Sequence, residues 1–417
     1  MRATSVFRKL LAVTSLFVAG VLVERDAGVL VLRVKPTWRK PRCGCCGREA
    51  PYHDSKPRPK HWKTLPWGWF VVVLEYRLRR VHCPDCGIHV EMVPWARKDS
   101  RFTRDLEEMA AHLAKTTDKT AVSQVLGITW GAVGSCVERV ASDGMDESRF
   151  DNLRRIGIDE FSYRKKHRYI TTVVDHDTGR VIWAAEGRSS QTLESFFDEL
   201  GEERCKLIET VTMDMAGGYI KATRKRLPNA QIVFDRFHVQ RLASDALDEV
   251  RRSIWRQLKG TDEGSAIKGM RFTLLKRKWK LDVSEKDRLR DLEKTNKPLF
   301  RAYLLKERLA KILDYVRPGH VRRELDRWLW WASHSRLEPF VKVARTIRKH
   351  KQDVLAYIEE RYTNGIVEGF NNLLRMVARR AFGFHTANAL IKMLFLVAGG
   401  IETNPPLPGV EWLSLEA

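Results

Sequence analysis

Four stretches decide the fold: RRIGIDEFSYRK at residues 154–165, RYITTVVDHDTGRVIWAAEG at 168–187, LIETVTMDMAGGYI at 207–220 and AQIVFDRFH at 230–238. Each carries a short run rich in Val, Ile, Thr and Phe bounded by Gly, Asp or Asn, the signature of β-strands. Three runs end on an aspartate: Asp159 closes IGID, Asp214 closes TVTMD and Asp235 closes IVFD. One such aspartate is an ordinary turn former. Three in succession predict carboxylates gathered at one end of a sheet, where they can hold divalent metal. Phosphodiester cleavage gains most from two Mg²⁺ (or Mn²⁺) ions, which activate the attacking oxygen and stabilise the leaving one.

Further along, YTNGIVEGFNNLLRMVARRAFGF at 362–384 has the period of an amphipathic helix. Thr363 or Asn364 can cap it. Ile366, Phe370, Leu373, Leu374, Val377 and Ala381 fall on one face; Glu368, Asn372, Arg375 and Arg379 fall opposite. That stripe reads either as a solvated face or as an acid holding metal beside a bound phosphate.

Upstream, residues 103–140 read as short helices, TRDLEEMAAHLAK and then TAVSQVLGITWGAVGSCVERV. Ala121, Val122 and Leu126 give one helix its apolar face, Gly127 permits a tight turn, and Ile128, Val133 and Val137 pack the next helix back. This is a helix-turn-helix pattern. It exposes Thr129, Trp130, Ser135 and Arg139, side chains that can meet a DNA major groove.

Before it stand two CxxC pairs, Cys43 and Cys46 in RCGCCGR and Cys83 and Cys86 in HCPDCGI. Two knuckles with trailing glycines predict one closed zinc site, although the gap of about 36 residues is longer than usual. Cys45 is a bystander or a substitute ligand. Cys136 and Cys205 read as packed thiols. Between positions 33 and 80, 13 lysines and arginines face three acids, with Trp38, Trp62, Trp67 and Trp69 interleaved. Such a surface suits phosphates, while core packing around the metal is the better reading of the rings. Phe70 to Cys83 reads as a strand running into the second knuckle.

The totals agree with a polyanionic partner. The chain of 417 residues has 75 Lys and Arg against 52 Asp and Glu, a net charge of +23, and 43% hydrophobic residues. The apolar run at 10–23 lacks a small-x-small cleavage site and is shorter than the ~20 residues of a membrane span. It is expected to form a buried helix and strand in an intracellular protein, and thiol-based metal binding fits a reducing compartment.

Together GIDE, TVTMD, FDRFHV and TNGIVEGFNNLLR resemble the ISL3-type insertion-sequence transposases over nearly the whole chain. In place of that family's CPxCG, the first knuckle reads CGCCG. The resemblance implies an α/β multidomain protein in which a helical insertion interrupts a ribonuclease-H-like catalytic domain. The zinc module is expected at 1–98, the helix-turn-helix at 99–145, the catalytic domain at 151–240 and 361–400, the insertion at 241–360 and a tail at 401–417. It further implies that Asp159, Asp214 and Glu368 are the catalytic, magnesium-binding acids. Asp235 and His238 match a D-x-x-H motif and take a supporting role with Asn372 and Arg375, although Asp235 could instead be the second acid. Residues 241–360 carry RWLWWASHSR around Trp328 to Trp331, read as core rather than as a base-stacking wedge.

The implied partners are the terminal inverted repeats and target DNA, bound by a homodimer or larger assembly on the prokaryotic nucleoid. A DNA-binding regulator or domesticated, inactive transposase is the rival from another class, and a nuclease that cuts without joining is a third. Intact acids disfavour the regulator.

Overall fold

The computed structural model describes residues 3–407 apart from 12, 14, 165–167, 361–364, 382, 383 and 385; the side chains of residues 3, 358–360, 365–368 and 371 are outside it as well. The chain divides into two units, residues 1–149 with 375–417, and residues 150–374.

In the first unit, α1 (Ala3–Leu10) precedes β1 (Leu16–Glu24); the apolar run supplies the strand, but the expected buried helix is corrected, since α1 is largely exposed and takes only Leu10 from the run. β1 pairs with β2 (Val29–Pro36), and the sheet order is β1-β2-β5-β4, with β4 at Lys60–Lys63 and β5 at Val71–Tyr76. A second sheet, β3-β6-β7, uses β3 (Tyr52–Ser55), β6 (Arg79–Cys83) and β7 (Gly87–Val90). The expectation of one strand from Phe70 to Cys83 is therefore corrected. The run breaks at Arg77 and Leu78, and its halves serve different sheets. This also accounts for the long gap between the CxxC pairs, because that interval lends β4 and β5 to the first sheet. Trp62 is 1% exposed and meets Trp95 edge-on at 5.6 Å, a core role, and Trp67 stacks on Phe7. Trp69 lies outside the core, at the surface.

Three helices follow: α2 (Arg104–Thr116), α3 (Lys119–Leu126) and α4 (Trp130–Asp143). Asp118 caps α3, Gly127 ends it in the left-handed region at φ 59°, and Thr129 caps α4. Only glycine enters that region without a steric penalty, so the chain turns there and α3 and α4 meet at 100°. Val122, Leu126, Ile128, Val133 and Cys136 fill the core between them.

The second unit is built on β8 (Arg155–Arg164), β9 (Arg168–Asp175), β10 (Val181–Glu186), β11 (Thr210–Met213) and β12 (Gln231–Phe234), in the order β10-β9-β8-β11-β12. The first three are antiparallel, while β11 runs parallel to both β8 and β12. This is the ribonuclease-H-like arrangement. The crossovers between parallel strands are helical: α5 (Ser190–Leu200), the short α6 (Glu202–Cys205) and α7 (Gly217–Arg226).

The long α8 (Arg236–Gln257) leaves β12 directly and opens the insertion. It is followed by α9 (Asp262–Gly269), α10 (Arg271–Leu275), α11 (Val283–Thr295), α12 (Lys297–Asp314), α13 (Pro318–Ser333), α14 (Glu338–Lys349) and α15 (Lys351–Glu360). The insertion is no separate body: α15 packs on β12, Phe234 meets His350 edge-on at 5.4 Å, and one continuous apolar core joins sheet and helices. Trp328 is buried there with its indole donating to Leu305 O, as read from sequence. Trp330 departs from that reading. It is 64% exposed and stacks on His334, the residue that caps the C-terminus of the same helix.

Helix α16 (Gly365–Arg380) buries Phe370, Leu374 and Val377, the apolar face expected of it. Residues 375–417 gather with the first unit. Arg380 donates to the α2 carbonyls of Ala114 and Lys115, and α17 (Ala387–Ala398) packs its apolar residues on α4 and α2. Among the described residues no single helix is long and apolar enough to cross a membrane.

Candidate active site and DNA-binding modules

The sheet register assembles the acids. Thr212 on β11 pairs with Gly157 on β8, so two residues further along each strand Asp214 comes beside Asp159. Met213 pairs with Phe234 on β12, so one residue further Asp214 comes beside Asp235. Asp159 is not at the end of its strand as expected, because β8 continues to Arg164 in its hairpin with β9. It stands instead where the pairing with β11 stops, which has the same effect. Asp235 caps α8, its Oδ1 accepting from Phe237 N at 3.0 Å.

His238, one turn into α8, ties two of the acids together. Its Nδ1 is 2.9 Å from Asp235 Oδ2, in hydrogen-bond alignment, and 2.6 Å from Asp214 Oδ1. Burial opposes a charge on the ring, but the two carboxylates outweigh it and push its pKa up to about 10. Asp214 Oδ1 is held against the His238 ring, while the Asp214 side chain as a whole keeps 37% of its exposure. A carboxylate partly open to solvent at the end of the sheet fits a ligand that a hard cation would take.

Sequence reading missed Glu160. Burial raises its pKa, as do the neighbouring charges of Asp214 and Asp159, while Arg188 opposes the rise. Tyr219, whose hydroxyl lies 2.7 Å from Thr171 Oγ1, also reaches Glu160. The available signal was the acid pair in GIDE. Glu368 belongs to α16, but its side chain lies outside the described residues, as do Thr363 and Asn364 entirely. Asn372 and Arg375 are exposed positions of α16.

The Sγ atoms of Cys43, Cys46, Cys83 and Cys86 all lie within 4.8 Å of one another, with Cys46 and Cys83 at 3.6 Å. Tetrahedral Zn–S bonds of ~2.3 Å place sulfurs ~3.8 Å apart, so the cluster fits zinc. Backbone amides of Cys86 and Asp85 pull the Cys83 thiol down to about 7, while the crowding of the neighbouring thiols pushes the Cys86 thiol up. Gly47 and Gly87 follow the knuckles at φ 75° and 79°, conformations open to glycine. Cys45 is exposed outside the four, and Cys136 and Cys205 are buried, as expected.

On α4, Trp130 is 44% exposed with Lys119 Nζ 4.5 Å from its ring centre. Thr129 and Ser135 are exposed, although the Thr129 hydroxyl accepts from Ala132 N and the Ser135 hydroxyl donates to Gly131 O. Arg139 corrects the expectation of a projecting basic side chain. Its Nε donates to Glu107 Oε1 at 2.5 Å, and Glu107 is fully buried, also held by Arg97 and Ser100. A buried carboxylate demands such partners, so Arg139 serves the core of the helical module.

An acid-bearing ribonuclease-H-like sheet in a chain that also carries a zinc cluster and a helix-turn-helix is the build of a DNA transposase, a class of DNA-cleaving and joining enzymes. Residues 156–394 match a transposase family model, residues 91–141 the helix-turn-helix domain of transposase family ISL3, and residues 39–86 the zinc-finger of transposase IS204/IS1001/IS1096/IS1165. The chain is 37% identical, over 98% of both sequences, to the transposase for insertion sequence element IS1557 of Mycobacterium tuberculosis. It is 29% identical to the transposase for insertion sequence element IS1001 of Bordetella parapertussis, over 87% of this chain and 89% of that one. The chain belongs to the ISL3 family of insertion-sequence transposases.

Proposed function

We propose that Asp159, Asp214 and Glu368 hold divalent metal and that this centre cuts the ends of an insertion sequence and joins them to target DNA. The observation that carries the reading is the parallel register bringing Asp159, Asp214 and Asp235 side by side. Two Mg²⁺ ions bound there would supply the charge that activates a water or a 3′-hydroxyl and stabilises the departing oxygen.

The chain's own residues supply position. Hydrogen-bonded strands hold Asp159 and Asp214, so little conformational entropy is lost when they engage. His238 fixes Asp235 and faces Asp214, orienting the second acid from behind. Both oxygens of Asp235 are engaged, one by the α8 cap and one by His238, and its side chain is 8% exposed against 37% for Asp214, which favours Asp214 as the second ligand. Asn372 and Arg375, which share a face with Glu368 in the helical sequence pattern, would contact phosphate.

In this reading the zinc module and helix-turn-helix bind the terminal inverted repeats, with Thr129, Trp130 and Ser135 nearest the bases. The protein acts as a homodimer or larger assembly on DNA in the prokaryotic cytoplasm. The test is incubation of purified protein with Mg²⁺ and DNA carrying the inverted repeats that flank its gene. Metal-dependent nicking at the repeat ends followed by joined products supports the reading. Cleavage without joining would make it a nuclease, and end binding without cleavage a regulator.

A further inference from the structure

The insertion carries a feature that strand cleavage does not use. At the corner of α8 with α9 and α10, Arg251, Arg252, Trp255, Lys268, Arg271 and Phe272 line a shallow cavity of about 340 Å³. Three guanidinium groups converge there on one carboxylate. Asp248 Oδ1 accepts from Arg251 Nη2 at 2.6 Å and lies 3.9 Å from Arg271 Nε, while Oδ2 lies 3.1 Å from Arg252 Nε. Lys268 adds a further cation to the cavity wall. The side chains of Arg252 and Arg271 are more than half exposed, whereas Arg251 is buried as their support.

Aromatic rings stand among these charges. Phe272 is 71% exposed with the Arg271 guanidinium 5.7 Å from its ring centre, and Lys268 Nζ is 5.7 Å from that of Trp255. A surplus of positive charge calls for an anion. A flat apolar ring held beside it calls for a second flat group carried on that anion. A nucleic-acid strand offers both, phosphate and base, and only an unpaired base presents its face, since a duplex keeps base faces stacked inside.

We propose that this corner of the insertion binds single-stranded DNA, with phosphate among Arg252, Lys268 and Arg271 and an unpaired base on Phe272. The surface lies toward the far end of α8 from Asp235 and His238 and adds a strand-holding role to the transposase.

The test uses the full-length protein and fluorescence anisotropy with a labelled oligothymidylate and a blunt duplex of equal length. Stacking on one aromatic is worth ~1–3 kcal/mol, so Phe272→Ala should weaken oligothymidylate binding about tenfold, and Phe272→Trp should restore it. Duplex binding should stay unchanged. Arg252→Glu with Arg271→Glu should weaken the same complex and flatten its salt dependence. Undiminished oligothymidylate binding by a Phe272→Ala protein of normal melting temperature overturns the proposal. So does an equal loss on duplex, or displacement of the oligonucleotide by polyglutamate as readily from wild type as from the alanine variant. End cleavage by the same variants reports separately on the acids, so failure here is distinguishable from failure of the catalytic reading.

Discussion

Arg139 on the second helix of the helix-turn-helix donates its Nε to Glu107 on α2 at 2.5 Å, and the carboxylate it serves has no exposure to solvent. The most basic side chain expected to read DNA is thus a tie between helices. Glu107 also accepts from Arg97 and Ser100, so its charge is fully committed. Glu107→Ala should destabilise the module by about 3 kcal/mol, because it strands buried donors. Arg139→Ala should cost about 1–3 kcal/mol, with DNA affinity falling only as the fold is lost. Thermal melting alongside anisotropy on repeat-end DNA separates the effects. An Arg139→Ala protein of normal stability but poor end binding would restore the base-reading role.

Trp130 faces solvent on the same helix under the Lys119 ammonium. Trp130→Ala should leave the melting temperature nearly unchanged and weaken repeat-end binding about tenfold, in line with ~1–3 kcal/mol for a base-edge contact. Unaltered affinity for repeat ends would remove α4 from the interface.

The four thiolates close the β6–β7 hairpin onto the first knuckle. Metal binding in small zinc modules contributes on the order of 10 kcal/mol to folding. Cys83→Ser, or a strong chelator, should therefore lower the melting temperature, and a colorimetric assay on denatured protein should find one zinc per chain. Cys45→Ser should retain it. Zinc-free protein that melts normally would show that the strands hold without the metal.

His176 follows β9 and is buried with its Nε2 2.7 Å from Thr212 Oγ1. Burial lowers its pKa from the ordinary 6.5, despite Asp175 and Asp177 nearby. The unfolded chain therefore takes up a proton that the folded chain resists, and stability falls as pH drops below about 6.5, by at most about 1.4 kcal/mol per pH unit from this group. Replacing His176 with Gln should flatten that slope in denaturant titrations. An unchanged slope would assign it to other groups.

How much of this was legible follows from how local each signal is. IGID, TVTMD and IVFD announce their aspartates because an apolar run and its terminal acid are neighbours in sequence, and the parallel register then brings them together. Gly127 and Thr129 mark the helix-turn-helix for the same reason, and the paired CxxC turns name their own ligands. The break at Arg77 and Leu78 was invisible because neither is a turn former, and β5 and β6 part only to satisfy different sheets. The partner of Arg139 sits on another helix, and α17 returns to α4 from the far end of the chain. Neither contact leaves a periodic trace. Glu160 was passed over because it shared one strand with a stronger candidate.

The central claim is that acids distant in sequence form one metal-dependent cutting centre, and Glu368 is the member that only sequence supports. The most direct measurement is strand cleavage of labelled repeat-end DNA in Mg²⁺ by wild type, Asp159→Asn, Asp214→Asn and Glu368→Gln, with end binding measured on the same samples. All three variants should bind ends as wild type does and cleave at background. Wild-type cleavage by Glu368→Gln would contradict the account.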